Sequence, residues 1–126
     1  TKPFIKKARR VRKVFGGGMR QAGILAAAGI YALDYNITRL KEDHARAKEL
    51  GKVLSTLPYV ESVMPEDTNI VIFNLKDKYT AVTFEEALKP HNSKLAAFGK
   101  QTIRFVTHLD FTDEMLTKVI EVLKTL

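Results

Sequence analysis

Asn69-Ile70-Val71-Ile72-Phe73-Asn74-Leu75 decides the fold. Its centre is β-branched, aromatic and continuous, which suits a pleated, buried strand better than a helix. A second strand is expected just upstream at Val60–Met64. Before it, Asn36 is positioned to cap a long amphipathic helix over Ile37–Leu57, with Pro58 ending it. The expected apolar stripe of that helix is Ile37, Leu40, His44, Ala47, Leu50, Leu54 and Leu57, and Glu42 with Arg46 forms an i,i+4 pair on the outer side. Downstream, Thr83-x-x-Glu86 reads as a capping box for a short helix that Pro90 terminates. Lys94–Phe98 is a weaker strand candidate and Ile103–His108 a good one. Thr112 then caps a last helix stacking Leu116, Val119, Ile120 and Leu123. Helix–strand–strand–helix–strand–strand–helix implies an α+β fold with a small, mostly antiparallel sheet flanked by helices.

The N-terminus has another character. Lys2–Phe15 alternates Phe4, Ile5, Ala8, Val11, Val14 and Phe15 with cations at helical spacing, and Pro3 suits a first turn. Gly16-Gly17-Gly18 stops that helix, because glycine permits positive φ. Ala22–Leu33 is apolar on every side, and a helix without a polar face is expected to be buried all round. A chain of 126 residues offers it too little partner surface, which points to a larger missing body.

Composition is that of an ordinary globular protein, with 45% hydrophobic and 28% charged residues. The net charge of +7 is local: the first twenty residues hold eight cations and no acid. The absence of cysteine excludes disulfides and thiolate metal sites. Ile24–Leu33, the longest apolar run, is far short of the roughly 20 residues that span a bilayer. A soluble, cytoplasmic protein without membrane partners is therefore expected. Thr1 in place of methionine suggests a processed or cut product.

Few residues could carry chemistry. The glycine loop leads into a helix, so free N–H groups and Arg20 could meet a phosphate; a plain interhelical turn explains the same residues. The match to known phosphate-loop spacings is absent. The basic helix could lie along nucleic acid or present a solvated face. Arg104 lies within an apolar strand, sharing a face with Val106 and His108 while Ile103, Phe105 and Thr107 take the other. It calls for a carboxylate, from a structural ion pair or from a ligand. His108 stands roughly 13 Å further along the strand, too far to share that ligand. His44 reads as a core histidine and His91 as a turn residue; no metal-ligand spacing is present, and no metal is expected.

Arg9-Arg10-Val11-Arg12-Lys13-Val14-Phe15-Gly16-Gly17-Gly18-Met19-Arg20-Gln21-Ala22-Gly23-Ile24-Leu25-Ala26-Ala27-Ala28-Gly29 closely resembles the stretch after the cofactor lysine in low-specificity L-threonine aldolases. Arg39-Leu40-Lys41-Glu42-Asp43-His44-Ala45 looks like that family's long helix, and Arg104-Phe105-Val106-Thr107-His108-Leu109-Asp110 like its late strand. Thr68-Asn69-Ile70 is the one further match between Tyr59 and Thr102. The resemblance implies a fold-type-I enzyme dependent on pyridoxal 5'-phosphate that cleaves threonine or allo-threonine to glycine and acetaldehyde. It implies that Arg20 contacts the cofactor phosphate, serving a neighbouring subunit, and that Arg104 grips the substrate carboxylate. Residues 1–35 would then be the helical tail of the large cofactor domain, and residues 36–126 the small C-terminal domain.

The family's Schiff-base lysine sits in a Ser-Lys-Gly context that this sequence lacks; Ser93-Lys94 is followed by Leu95. The expectation is a C-terminal fragment that lacks the N-terminal large domain, carries no catalytic residue of its own and does not bind the cofactor alone. In the full enzyme it implies a homo-oligomer, dimer or tetramer, acting on a small amino acid without nucleic acid. The alternative is a stand-alone basic module binding nucleic acid or an acidic partner.

Overall fold

Side-chain branching, caps and glycines divide the chain into helices α1 (Lys2–Val14), α2 (Gly23–Tyr31), α3 (Leu40–Leu54), α4 (Ala81–Leu88) and α5 (Asp113–Thr125), with strands β1 (Val60–Val63), β2 (Ile70–Leu75), β3 (Ala96–Ala97) and β4 (Thr102–Val106). The computed structural model describes residues 1–93 and 95–126, so the part of the Lys94–Phe98 strand expectation that falls on Lys94 lies outside the described residues. The chain separates into two units, Thr1–Ile37 and Thr38–Leu126.

In the first unit, Thr1 caps α1 and Pro3 sits in its first turn. The helix α2 runs on into a π-helical turn over Ala32–Asn36. The sequence expectation that Asn36 caps the next helix is therefore corrected: Asn36 has helical backbone inside this turn, and Arg39 takes the N-cap position of α3. None of the described residues of these three elements is buried. The all-apolar helix, for which the sequence offers too little partner surface, is uncovered within its own unit: Ile24 is 85% exposed, and Leu25, Ile30, Tyr31 and Leu33 are exposed with it.

The second unit is an α+β domain. Its sheet has the order β1-β2-β4-β3 with every neighbouring pair antiparallel. Alternation along β2 sends Val71, Phe73 and Leu75 into the core and leaves Ile70, Ile72 and Asn74 on the other face. Ile103 and Thr107 of the adjoining segment are buried on the same side. Ala47, Leu50 and Leu54 of α3, Phe84 and Leu88 of α4, and Leu116 and Leu123 of α5 close over them. The core thus lies on one face, and the other carries partly or fully exposed Met64, Ile70, Ile72, Arg104 and Val106.

Three local expectations are corrected. The helix α3 begins at Leu40, and its buried stripe is Asp43, Ala47, Leu50, Gly51 and Leu54; of the other residues expected in that stripe, Ile37 and Leu40 are exposed and His44 is half-buried. Glu42 is not the partner of Arg46, whose Nε donates to Asp113 at 2.6 Å and whose Nη1 stands 3.6 Å from Asp43. The capping box of α4 starts at Thr80, with Thr83 as its reciprocal partner; an extended Thr80 places its hydroxyl where the Thr83 N–H can donate, at 3.2 Å.

Tyr59 locks the sheet to α5. Its hydroxyl donates to the Leu123 carbonyl at 2.7 Å, and burial pushes its pKa well above the ordinary phenol range. Its ring lies 5.7 Å from Phe84, which meets Phe73 edge-on at 6.0 Å.

Candidate functional site

Arg20 belongs to the first unit, on the loop between α1 and α2. The last turn of α1 closes with two bonds: Gly16 N–H donates to Lys13 O at 3.1 Å and Gly17 N–H to Arg12 O at 2.8 Å. With Gly16 at φ +78°, this is a Schellman stop. A β-carbon on Gly17 would come within 2.7 Å of Arg12 Cγ and 3.0 Å of its carbonyl oxygen. Two of the three glycines are thus explained by ending α1. The remainder of the loop is unusual in another way: Gly18 (φ +153°) and Gln21 (φ +53°) also hold positive φ. Arg20 between them is exposed.

Arg104 belongs to the second unit, at the centre of β4. Its backbone pairs with Ile72 on one side and Ala96 on the other. Alternation aims it to the uncovered face, while Ile103 and Thr107 point into the core. Among the described residues no carboxylate pairs with it. Its guanidinium carbon instead stands 5.2 Å from the centroid of the Phe98 ring. Below, Asn74 links the next row of the same face, accepting from Thr102 Oγ1 at 2.8 Å and donating to Ser62 Oγ at 3.2 Å. Arg104 also borders an apolar cavity of about 260 Å³, walled by core residues such as Leu50, Phe105, Val119 and Leu123.

His108 is exposed, and its Nδ1 accepts the Asp110 N–H at 3.2 Å. His91 lies in the 3₁₀ turn after α4. Among the described residues no group of three His, Asp or Glu side chains is arranged to hold a metal ion.

Sequence reasoning missed a charged cluster. Asp43, 2% exposed, accepts from Arg39 Nη1 and Nη2 at 3.0 and 2.7 Å. Arg46 leans on it and carries the link on to Asp113 at the start of α5, a hydrogen bond that raises the guanidinium pKa. The Thr107 hydroxyl donates to the Asp43 carbonyl at 2.7 Å, and Asn69 Nδ2 donates to Thr107 O at the same distance. Three stretches far apart in sequence, around Asp43, Asn69 and Thr107, therefore meet where β4 ends. The spacing Arg39-x-x-x-Asp43-x-x-Arg46 was the available sign, since i,i+4 and i,i+3 neighbours share a helix face.

Comparison with known proteins places the chain in a family. A family model described as beta-eliminating lyase matches residues 1–78, and the chain belongs to that family. Among curated proteins it is 42% identical over 119 residues to the low specificity L-threonine aldolase of Escherichia coli K12. It is 35% identical over 115 residues to low-specificity L-threonine aldolase 1 of Arabidopsis thaliana, and 36% identical over 121 residues to a probable low-specificity L-threonine aldolase of Schizosaccharomyces pombe. These matches cover 94%, 89% and 96% of this chain but 34%, 32% and 29% of the relatives. The chain spans about a third of the length of the curated relatives it matches.

Proposed function

We propose that this chain is the C-terminal part of a pyridoxal-phosphate-dependent aldolase that cleaves L-threonine or L-allo-threonine to glycine and acetaldehyde. The observation that carries the reading is Arg104, without a protein carboxylate among the described residues, on the uncovered face of a sheet. A guanidinium so placed has two parallel N–H donors to offer a substrate carboxylate. The names of the relatives support the substrate class.

In this reading residues 1–35 end a large cofactor domain, and residues 36–126 are the small domain. Arg20 fits a phosphate group: it is an exposed cation on a loop with positive φ at Gly18 and Gln21, and no acid lies in the first twenty residues. We assign it to the cofactor phosphate of a neighbouring subunit in a cytoplasmic homo-oligomer. The lysine that anchors the cofactor belongs to an upstream domain, since no Ser-Lys-Gly occurs here. When bound, pyridoxal phosphate supplies the electron sink for bond cleavage. This chain's own contribution is binding and orientation: Arg104 fixes the carboxylate, and with it the bonds around the substrate α-carbon.

The test uses the full-length enzyme. Arg104→Ala should raise the KM for threonine about ten- to hundred-fold, the loss expected for a charge-assisted hydrogen-bonded pair, with cofactor retained. Arg20→Ala should weaken cofactor binding and leave the KM near wild type once cofactor is saturating. Wild-type behaviour of both variants would overturn the assignment.

A further inference from the structure

We propose that Phe98 is a positioning residue for Arg104, holding its guanidinium ready for a carboxylate. The inference rests on the reading of Arg104 as a carboxylate ligand.

The placement follows from the hairpin. Phe98 N–H donates to Thr102 O at 3.1 Å, one step beyond the Ala96–Arg104 and Ala97–Ile103 backbone pairs. Phe98 therefore stands opposite Thr102 and diagonal to Arg104, a separation that aromatic and long side chains bridge. The guanidinium carbon lies 5.2 Å from the ring centroid, inside the range of a cation–π contact. Phe98 is 59% exposed, so core packing does not explain it.

The contact suits binding because of how arginine is built. Its N–H donors lie in the guanidinium plane, whereas the aromatic ring attracts its flat face. A ring that engages the face leaves the donor edge open. An unrestrained arginine loses rotamer freedom when it grips a ligand; one already resting on a ring loses less. The ring also supplies apolar surface without a competing acceptor, unlike the carboxylate of an ordinary ion pair.

The experiment is a set of full-length variants assayed for threonine KM, kcat, equilibrium affinity for glycine, and thermal midpoint. An exposed cation–π contact corresponds to a change of about two- to five-fold. Phe98→Ala and Phe98→Leu should therefore raise the KM and weaken glycine binding by about that factor, with kcat and the thermal midpoint unchanged. Phe98→Tyr, which keeps the ring, should match wild type. In an Arg104→Ala background, Phe98→Ala should add nothing, because the group it positions is gone. The inference fails if Phe98→Ala leaves KM and glycine affinity unchanged while Arg104→Ala raises KM. It fails equally if Phe98→Tyr loses as much as Phe98→Ala, or if the Phe98→Ala effect persists in full without Arg104. Should Arg104→Ala itself leave KM unchanged, the carboxylate reading falls first and this one with it.

Discussion

Asp43 occupies a place on α3 that a hydrophobic stripe would give to an aliphatic side chain. Its burial is tolerable because Arg39 meets it with two donors and Arg46 stands close behind. Tyr59 answers the same problem differently, burying a neutral hydroxyl on the Leu123 carbonyl. Because burial raises its pKa above the ordinary 10.0, the folded state keeps this proton where the unfolded chain has lost it. The associated stability is whole below pH 10 and is lost as pH rises above that value. Tyr59→Phe should therefore flatten the alkaline limb of a stability–pH profile while lowering stability at neutral pH by about 1–3 kcal/mol, the cost of an unsatisfied buried carbonyl. Denaturant titrations from pH 7 to 11 measure both; an alkaline limb as steep in Tyr59→Phe as in wild type would assign it to another group.

At the level of elements, what was legible in the sequence was what local chemistry determines. Branching at Ile70–Phe73 announced β2, and Thr112 announced α5, where its side chain accepts the Met115 N–H at 3.3 Å. What escaped was set by contacts distant in sequence. Arg46 pairs with Asp113, 67 residues away, rather than with Glu42 four residues back, and Asp43, whose carbonyl accepts from the distant Thr107 hydroxyl, takes a buried place on α3. The Arg20 and Arg104 assignments came from resemblance rather than spacing, since neither residue stands in a spacing that itself demands a ligand. Glycines give the sharpest test at this scale. Gly16→Ala should fray the end of α1 at a cost of about 1–2 kcal/mol, because φ +78° opposes a β-carbon although nothing lies within 4 Å. Gly29→Ala, in the interior of α2 with open space around it, should instead raise helix content, since alanine gains about 0.8–1.0 kcal/mol over glycine. Circular dichroism and amide exchange on this chain read both. In the full-length enzyme, where we propose that a large domain packs on α2, Gly29→Ala should lose that gain.

Across the whole molecule, burial is unevenly shared. Thr38–Leu126 holds all of the buried apolar core, while α1, the α2 helix and its π-helical extension contribute none of it. Helical stability in proteins comes chiefly from packing an apolar face, and isolated helices of 13 and 9 residues are marginal in water. The exposed Phe4, Val14, Phe15, Ile24, Leu25 and Leu33 are moreover the kind of apolar surface that promotes association. Excising residues 1–37 should therefore leave the denaturant midpoint of the remaining domain unchanged and abolish concentration-dependent self-association. Amide exchange in the 126-residue chain should show the same division. Protection should approach the global unfolding free energy in β2, β4, α3 and α5, and should fall to the low values of local fraying in α1 and α2. A clear drop in midpoint on excision would mean that residues 1–37 stabilise the sheet domain after all, and that its core, complete as it is on one face, does not suffice alone.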